Sequence, residues 1–135
     1  MELAKVTVDR LVEAARRAQT HAYAPYSDFP VGAAVLGADG RVFEGCNVEN
    51  SSFGLTVCAE RNAVAAALVA GTRPCAVAVV ANGKSVAPCG ACRQVLAEFD
   101  TAMPVVLATP AGGAPAVTSL ESLLPGAFRF EKPAR

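Results

Sequence analysis

The sequence predicts an α/β fold, a three-layer α/β/α sandwich built on one mixed sheet. Three observations predict it. Apolar residues recur at helical spacing near the start of the chain. Two short apolar runs then flank Gly37-Ala38-Asp39-Gly40, the pattern of a hairpin. Beyond residue 56, helix-length and strand-length apolar segments alternate, as they do when helices are laid against a sheet. No repeat or composition shift divides the chain, so residues 1–135 are expected to form one domain.

Each element has its own signal. Val8, Leu11, Val12, Ala15 and Ala18 define an amphipathic helix over residues 7–20, with Thr7 as N-cap, Asp9 in the first turn and Arg16 and Arg17 near the last. A turn-rich link from Ala24 to Pro30 leads into a buried strand at 31–36, and the hairpin returns over 41–46. Asn47, Val48, Glu49 and Asn50 follow that strand; their polar side chains could cap the next segment or face a ligand. Thr56 is placed to cap an Ala-rich helix over 57–70, which Gly71 ends. Residues 75–81 read as a central strand, and Asn82-Gly83-Lys84-Ser85 turns the chain. Pro88 suits the first turn of a helix over 89–99. A strand at 104–109, a loop at 110–115 and a short helix at 120–124 capped by Ser119 complete the order, and the tail from Ala127 has no clear periodicity.

Composition narrows the class of function. Of 135 residues, 53% are hydrophobic and 18% charged, more apolar material than so small a body easily covers, so an oligomer is expected. Twelve Lys and Arg balance twelve Asp and Glu, which leaves no basic surplus for a polynucleotide backbone. No charged-then-apolar leader opens the chain, and no apolar run approaches the ~18 residues that span a bilayer. A cytoplasmic protein with neither nucleic-acid nor membrane partners is the expectation. Five Cys then read as metal ligands or buried thiols sooner than as disulfides.

The chemistry lies in Cys58-Ala59-Glu60-Arg61 and Pro88-Cys89-Gly90-Ala91-Cys92-Arg93-Gln94. Cys89 and Cys92 are three apart at a helix start, which puts their Cβ atoms roughly 5–6 Å apart on one face. That bite suits one tetrahedral zinc. Cys58 also falls in the first turn of its expected helix, and helix N-termini favour thiolates. Three protein ligands are a catalytic number, because a structural zinc usually has four. Cys46 and Cys75 sit at strand ends and read as apolar thiols. Glu60, two residues from Cys58, points away from the sulfur and can act as a general acid/base in front of the metal. Three thiolates on zinc leave a net negative charge; Arg61, Arg93 and the Gln94 amide are candidates to offset it. Each motif alone is weak, since a C-x-x-C is as often a redox pair. A C-x-E followed by P-C-x-x-C is close to the zinc-deaminase pattern.

Six motifs extend the resemblance over nearly the whole chain: Ala24-Pro25-Tyr26-Ser27, Phe29-x-Val31-Gly32-Ala33, Gly45-Cys46-Asn47-Val48-Glu49-Asn50, the two Cys motifs, and Leu123-Leu124-Pro125-Gly126-Ala127-Phe128. In this set and order the chain resembles the small homotetrameric zinc-dependent cytidine deaminases. The resemblance implies a single catalytic domain with one zinc per subunit, held by Cys58, Cys89 and Cys92. It implies that Glu60 shuttles protons and that Arg61 bonds the ligand thiolates. It implies that Phe29, Asn47, Glu49 and Ala59 hold a pyrimidine nucleoside, Asn47 and Glu49 through the ribose hydroxyls. Phe128, from a neighbouring subunit, would lie against the base, so that the tetramer shares its active sites. The expected reaction converts cytidine and deoxycytidine to uridine and deoxyuridine, in pyrimidine salvage. Blasticidin-type deaminases share C-A-E and P-C-x-x-C-R-Q but lack the Cys-Asn-Val-Glu-Asn run, and remain the alternative. A non-catalytic zinc or redox module would need neither Glu60 nor an open ligand position.

Overall fold

The computed structural model describes residues 2–83 and 86–130. Ten elements follow in order: helix α1 (Lys5–Gln19), strands β1 (Val31–Gly37) and β2 (Val42–Cys46), a 3₁₀ turn (Phe53–Leu55), α2 (Ala59–Val69), β3 (Pro74–Ala81), α3 (Gly90–Ala97), β4 (Pro104–Ala108), β5 (Ala116–Ser119) and α4 (Leu120–Leu123). The strands form one sheet in the order β2-β1-β3-β4-β5. Among the described strands, β3 and β4 alone pair in parallel, and the crossover between them carries α3. The sheet is therefore mixed, as expected.

Strand alternation sorts the apolar side chains into two cores. Ala33 and Val35 of β1, Val77 and Val79 of β3, and Val105 and Leu107 of β4 pack with α2 and α3. Ala34, Ala76, Ala78, Val80, Val106 and Ala108 point the other way, under α1. The α1 face is lined by alanines, and the helix lies very close to it. A Cβ on Gly32 would stand 2.0 Å from the Ala15 carbonyl oxygen, so only glycine fits beneath α1. Gly45 does the same for α2: its Cβ would stand 2.4 Å from Ala63 N and 2.5 Å from Ala59 O. This close approach sets the start of α2 against the end of β2.

The boundaries differ from the sequence reading in instructive ways. α1 starts at Lys5 with Ala4 as N-cap, and Thr7 donates its backbone N–H to Ala4 O instead of capping. Asp9 accordingly lies beyond the first turn and pairs with Lys5 at 2.9 Å. α2 starts at Ala59, so Thr56 does not cap it but closes the preceding 3₁₀ turn, and Cys58 itself occupies the N-cap position. α3 likewise starts after Cys89. Strand β5 was not foreseen. It is short and half-exposed, and it takes its order from pairing with β4, which no local pattern announces. Ser119 does cap α4, its side chain accepting from Ser122 N at 3.2 Å. Part of the expected Asn82–Ser85 turn and the end of the tail lie outside the described residues.

Candidate active site and metal centre

Two helix starts and one strand end meet at the site. Cys58 and Cys89 are the N-caps of α2 and α3, both in extended backbone conformation, and Cys92 lies in the first turn of α3. The sulfurs of Cys58 and Cys89 are 3.9 Å apart, those of Cys89 and Cys92 3.5 Å, and all three lie within 4.8 Å of one another. Two sulfurs at the zinc–thiolate distance of about 2.3 Å in a tetrahedron stand roughly 3.8 Å apart. The donor set therefore fits a tetrahedral metal with one position left over. Cys46 and Cys75 are not part of this group. Burial, and secondarily the Asp100 carboxylate, pushes the Cys75 thiol up, in keeping with an inert thiol.

The electrostatics of the three thiols are uneven. Burial raises Cys89, but hydrogen bonds from the Cys92 backbone N–H and the neighbouring thiols outweigh it and leave it below its ordinary value. Cys92, fully buried, is pushed far up by desolvation and then by the Glu60 charge. Such a thiol ionises readily only when a cation stands beside it. Arg61 supplies part of that charge, its Nη2 donating to Cys58 Sγ at 3.5 Å. Its Nε is buried and finds no partner among the described residues.

Arg93 and Gln94 do something else. Arg93 donates from Nε to Pro88 O and from Nη1 to Leu123 O, both at 2.7 Å. Gln94 donates from Nε2 to Phe128 O at 2.8 Å. Neither reaches a sulfur; both tie the C-terminal segment to α3. The hydrogen bonds given for them among the described residues go to the carbonyl oxygens of Pro88, Leu123 and Phe128 and not to the sulfurs they were expected to serve.

A cavity of about 280 Å³ opens in front of the sulfurs. Glu60 lines it and is 5% exposed. Burial raises its carboxyl pKa, against the smaller pull of its own backbone N–H, the Arg61 charge and the Cys92 thiol. Ala59, Phe29 and Val79 contribute apolar wall. Asn47 and Glu49 line the far side. Phe128 does not line this cavity; it is 70% exposed.

The far side holds the greatest departure from a local reading. Asn47 accepts from Val31 N through Oδ1 at 2.9 Å and donates to Phe29 O through Nδ2 at 3.0 Å. Glu49 accepts from Tyr26 N at 2.8 Å, from Ser27 N at 3.2 Å and from the Ser27 hydroxyl. These bonds clasp the 24–30 loop, in which Asp28 takes a left-handed conformation. The Ser27 bond holds the Glu49 carboxyl below its ordinary value, against desolvation and with help from the two backbone donors. Ser27, twenty-two positions from Glu49, was given no role of its own by the sequence, which offered only its place in a turn-rich link and in the Ala24-Pro25-Tyr26-Ser27 motif. Asn62 was missed too. Its Nδ2 donates to Cys46 O at 2.8 Å and ties α2 to β2 beside the site.

Comparison with known proteins agrees with this geometry. Residues 6–109 match the family model of the cytidine and deoxycytidylate deaminase zinc-binding region. The chain is 50% identical to a cytidine deaminase of Sporosarcina psychrophila over 92% of its length and 93% of that protein. It is 51% identical to the cytidine deaminase of Halalkalibacterium halodurans over 90% and 93%. Its fold is similar to the crystal structure of cytidine deaminase from Burkholderia pseudomallei, with a TM-score of 0.83 and 53% identity over 89% of this chain and 98% of that one. The Mycobacterium tuberculosis enzyme is similar at a TM-score of 0.78 and 44% identity, over 90% and 97%. With most of its length matched and half of its residues shared, the chain belongs to the cytidine and deoxycytidylate deaminase family.

Proposed function

We propose that this chain is a hydrolytic deaminase of cytidine and 2′-deoxycytidine, one domain over residues 1–135, holding one zinc ion through Cys58, Cys89 and Cys92. The observation that carries the reading is a buried carboxyl, Glu60, in the same cavity as three converging sulfurs. Bound there, zinc would supply the Lewis acidity that makes a water molecule nucleophilic near neutral pH. Glu60 takes the proton from that water as it attacks C4 of the pyrimidine, and delivers it to ring N3. Glu60 then moves a second proton to the departing amino group, which leaves as ammonia. Water is consumed and uridine is released, with one carboxyl carrying every proton. The raised pKa of Glu60 suits that double role, because the group must both accept and donate near neutrality.

Asn47 and Glu49 would hold the sugar. A carboxylate offers about four lone-pair sites, and three are taken by Tyr26 and Ser27, leaving one. Asn47 keeps one amide hydrogen and one lone pair. A single hydroxyl, donating to Glu49 and accepting from Asn47, satisfies both, which supports recognition of one sugar hydroxyl in place of a diol. Clasping the loop and binding the sugar are thus compatible roles for Glu49. The exposed Phe53, Leu55, Val69 and Phe128 support subunit contacts. We place this enzyme as a cytoplasmic homotetramer in pyrimidine salvage, with Phe128 reaching the base of a neighbouring site.

The test is an ultraviolet assay of the purified protein with cytidine, deoxycytidine, dCMP and blasticidin S, before and after chelation. The proposal expects turnover of the two nucleosides that chelation abolishes and zinc restores. Turnover of blasticidin S alone, or bound zinc without turnover of any of the four, would overturn it.

A further inference from the structure

We propose that Ser27 is a positioning residue for sugar recognition, fixing both Glu49 and Phe29 at the wall of the cavity. The proposal rests on the sugar-binding reading of Glu49. Glu49 Oε1 accepts from Tyr26 N and Ser27 N at 2.8 and 3.2 Å, which fills its two lone pairs. Glu49 Oε2 accepts only from the Ser27 hydroxyl among the described residues, so the one remaining lone pair lies on the oxygen that Ser27 also touches. The Ser27 hydroxyl has a single proton, and Glu49 takes it. Its oxygen is then free to accept, and it accepts the Phe29 backbone N–H at 3.1 Å. One hydroxyl thereby joins the carboxylate that would receive the sugar to the backbone of the aromatic residue beside it.

The same bond helps to determine which way the carboxylate presents its free lone pair. Two backbone donors hold Oε1, and the Ser27 hydroxyl anchors Oε2 as well, so the plane of the carboxylate is held at both oxygens. Phe29 O in turn accepts from Asn47 Nδ2 at 3.0 Å, so the chain of bonds runs from Glu49 through Ser27 and Phe29 to Asn47. Both polar groups proposed for the sugar are held by one connected network, and Ser27 is its middle link. A carboxylate fixed in this way meets its ligand hydroxyl without first losing rotational freedom.

Steady-state kinetics on the zinc-loaded enzyme with cytidine and 2′,3′-dideoxycytidine tests this, using Ser27→Ala, Ser27→Gly, Ser27→Thr and Glu49→Ala. Alanine keeps the two backbone donors and removes only the hydroxyl; glycine also removes Cβ and loosens the backbone, so it bounds the effect from above. Each is expected to lower kcat/KM on cytidine by roughly 5- to 20-fold, mainly through KM, with a much smaller loss on the dideoxy sugar. Ser27→Thr keeps a hydroxyl and is expected to stay within about threefold of the wild type. If Glu49→Ala erases the preference for cytidine while Ser27→Ala and Ser27→Gly keep it whole, the assignment of Ser27 is overturned and the sugar reading stands. If Glu49→Ala itself preserves the preference, the sugar reading falls and this inference falls with it.

Discussion

Glu60 and Glu49 line one cavity, yet the fold places them in opposite environments. Glu60 sits in the first turn of α2 and is 5% exposed, and desolvation raises its pKa. Glu49 sits at an exposed loop, where donors from Tyr26 and Ser27 lower its pKa. The first is a carboxyl that can change protonation state during a reaction; the second is one that stays ionised. Two titratable groups pushed apart in this way divide the labour of a site, one moving protons and the other accepting fixed hydrogen bonds. The difference comes from secondary structure. A helix packed tightly on Gly45 buries its first turn, whereas a loop leaves a carboxylate in reach of many backbone donors.

The sharpest way to break this division is Glu60→Gln. The amide cannot shuttle protons, so kcat should fall by about 100-fold or more while zinc content, measured by atomic absorption, stays at one per subunit. Retention of more than about a tenth of the wild-type kcat would remove Glu60 from its role. Stability should move the other way. A raised folded-state pKa means that the native protein binds more protons than the unfolded chain between the ordinary carboxyl value of 4.5 and the raised one. The associated stability is present at low pH and lost as pH climbs through that window. Metal-free Glu60→Gln should therefore melt above the metal-free wild type at pH 7, with the gap closing below about pH 4.

The matching test on the other wall is Glu49→Ala. It should keep its zinc and lose roughly 50-fold in kcat/KM on cytidine, with the preference over 2′,3′-dideoxycytidine largely gone. It should also melt somewhat lower, because Tyr26 N and Ser27 N lose their acceptor. A mutant that only lost stability would return Glu49 to the role of a loop clasp.

The two walls also differ in how far the sequence announced them. The sulfur cluster was legible in its parts because each part is local: Cys89 and Cys92 lie at the start of one helix and Cys58 and Glu60 at the start of another, and the fold brings the two starts together. What failed there was the assignment of caps. Thr56 and Thr7 looked like better N-caps than Cys58 and Ala4, yet helix position is set by packing on Gly45 and Gly32, not by the best capping side chain. The side of Asn47 and Glu49 was legible from the residues only as a choice between capping and binding, and only the family resemblance favoured binding. Its network joins residues sixteen to twenty-three positions apart, and no local pattern encodes such pairings. Strand β5 stayed hidden for the same reason, since its order comes from β4.

The smallest expected effects separate charge compensation from anchoring on the metal side. Arg61 and Gln94 both follow a metal-ligand motif, and sequence spacing made both candidates for the sulfurs. The structure gives the sulfur contact to Arg61 and sends the Gln94 amide to Phe128 O. Arg61→Ala removes a positive charge 3.5 Å from the Cys58 sulfur, so zinc affinity in a chelator competition should weaken by about tenfold or more. Gln94→Ala removes a neutral hydrogen bond to a backbone carbonyl and leaves the sulfurs untouched. Its zinc affinity should stay within about twofold of the wild type. What it loosens is the segment that carries Phe128, so its effect should appear in KM and in subunit association. Analytical ultracentrifugation beside the chelator titration reads both. Equal losses of zinc affinity in the two mutants would mean that Gln94 acts on the metal after all, and that α3 passes the strain of a freed C-terminal segment to Cys92.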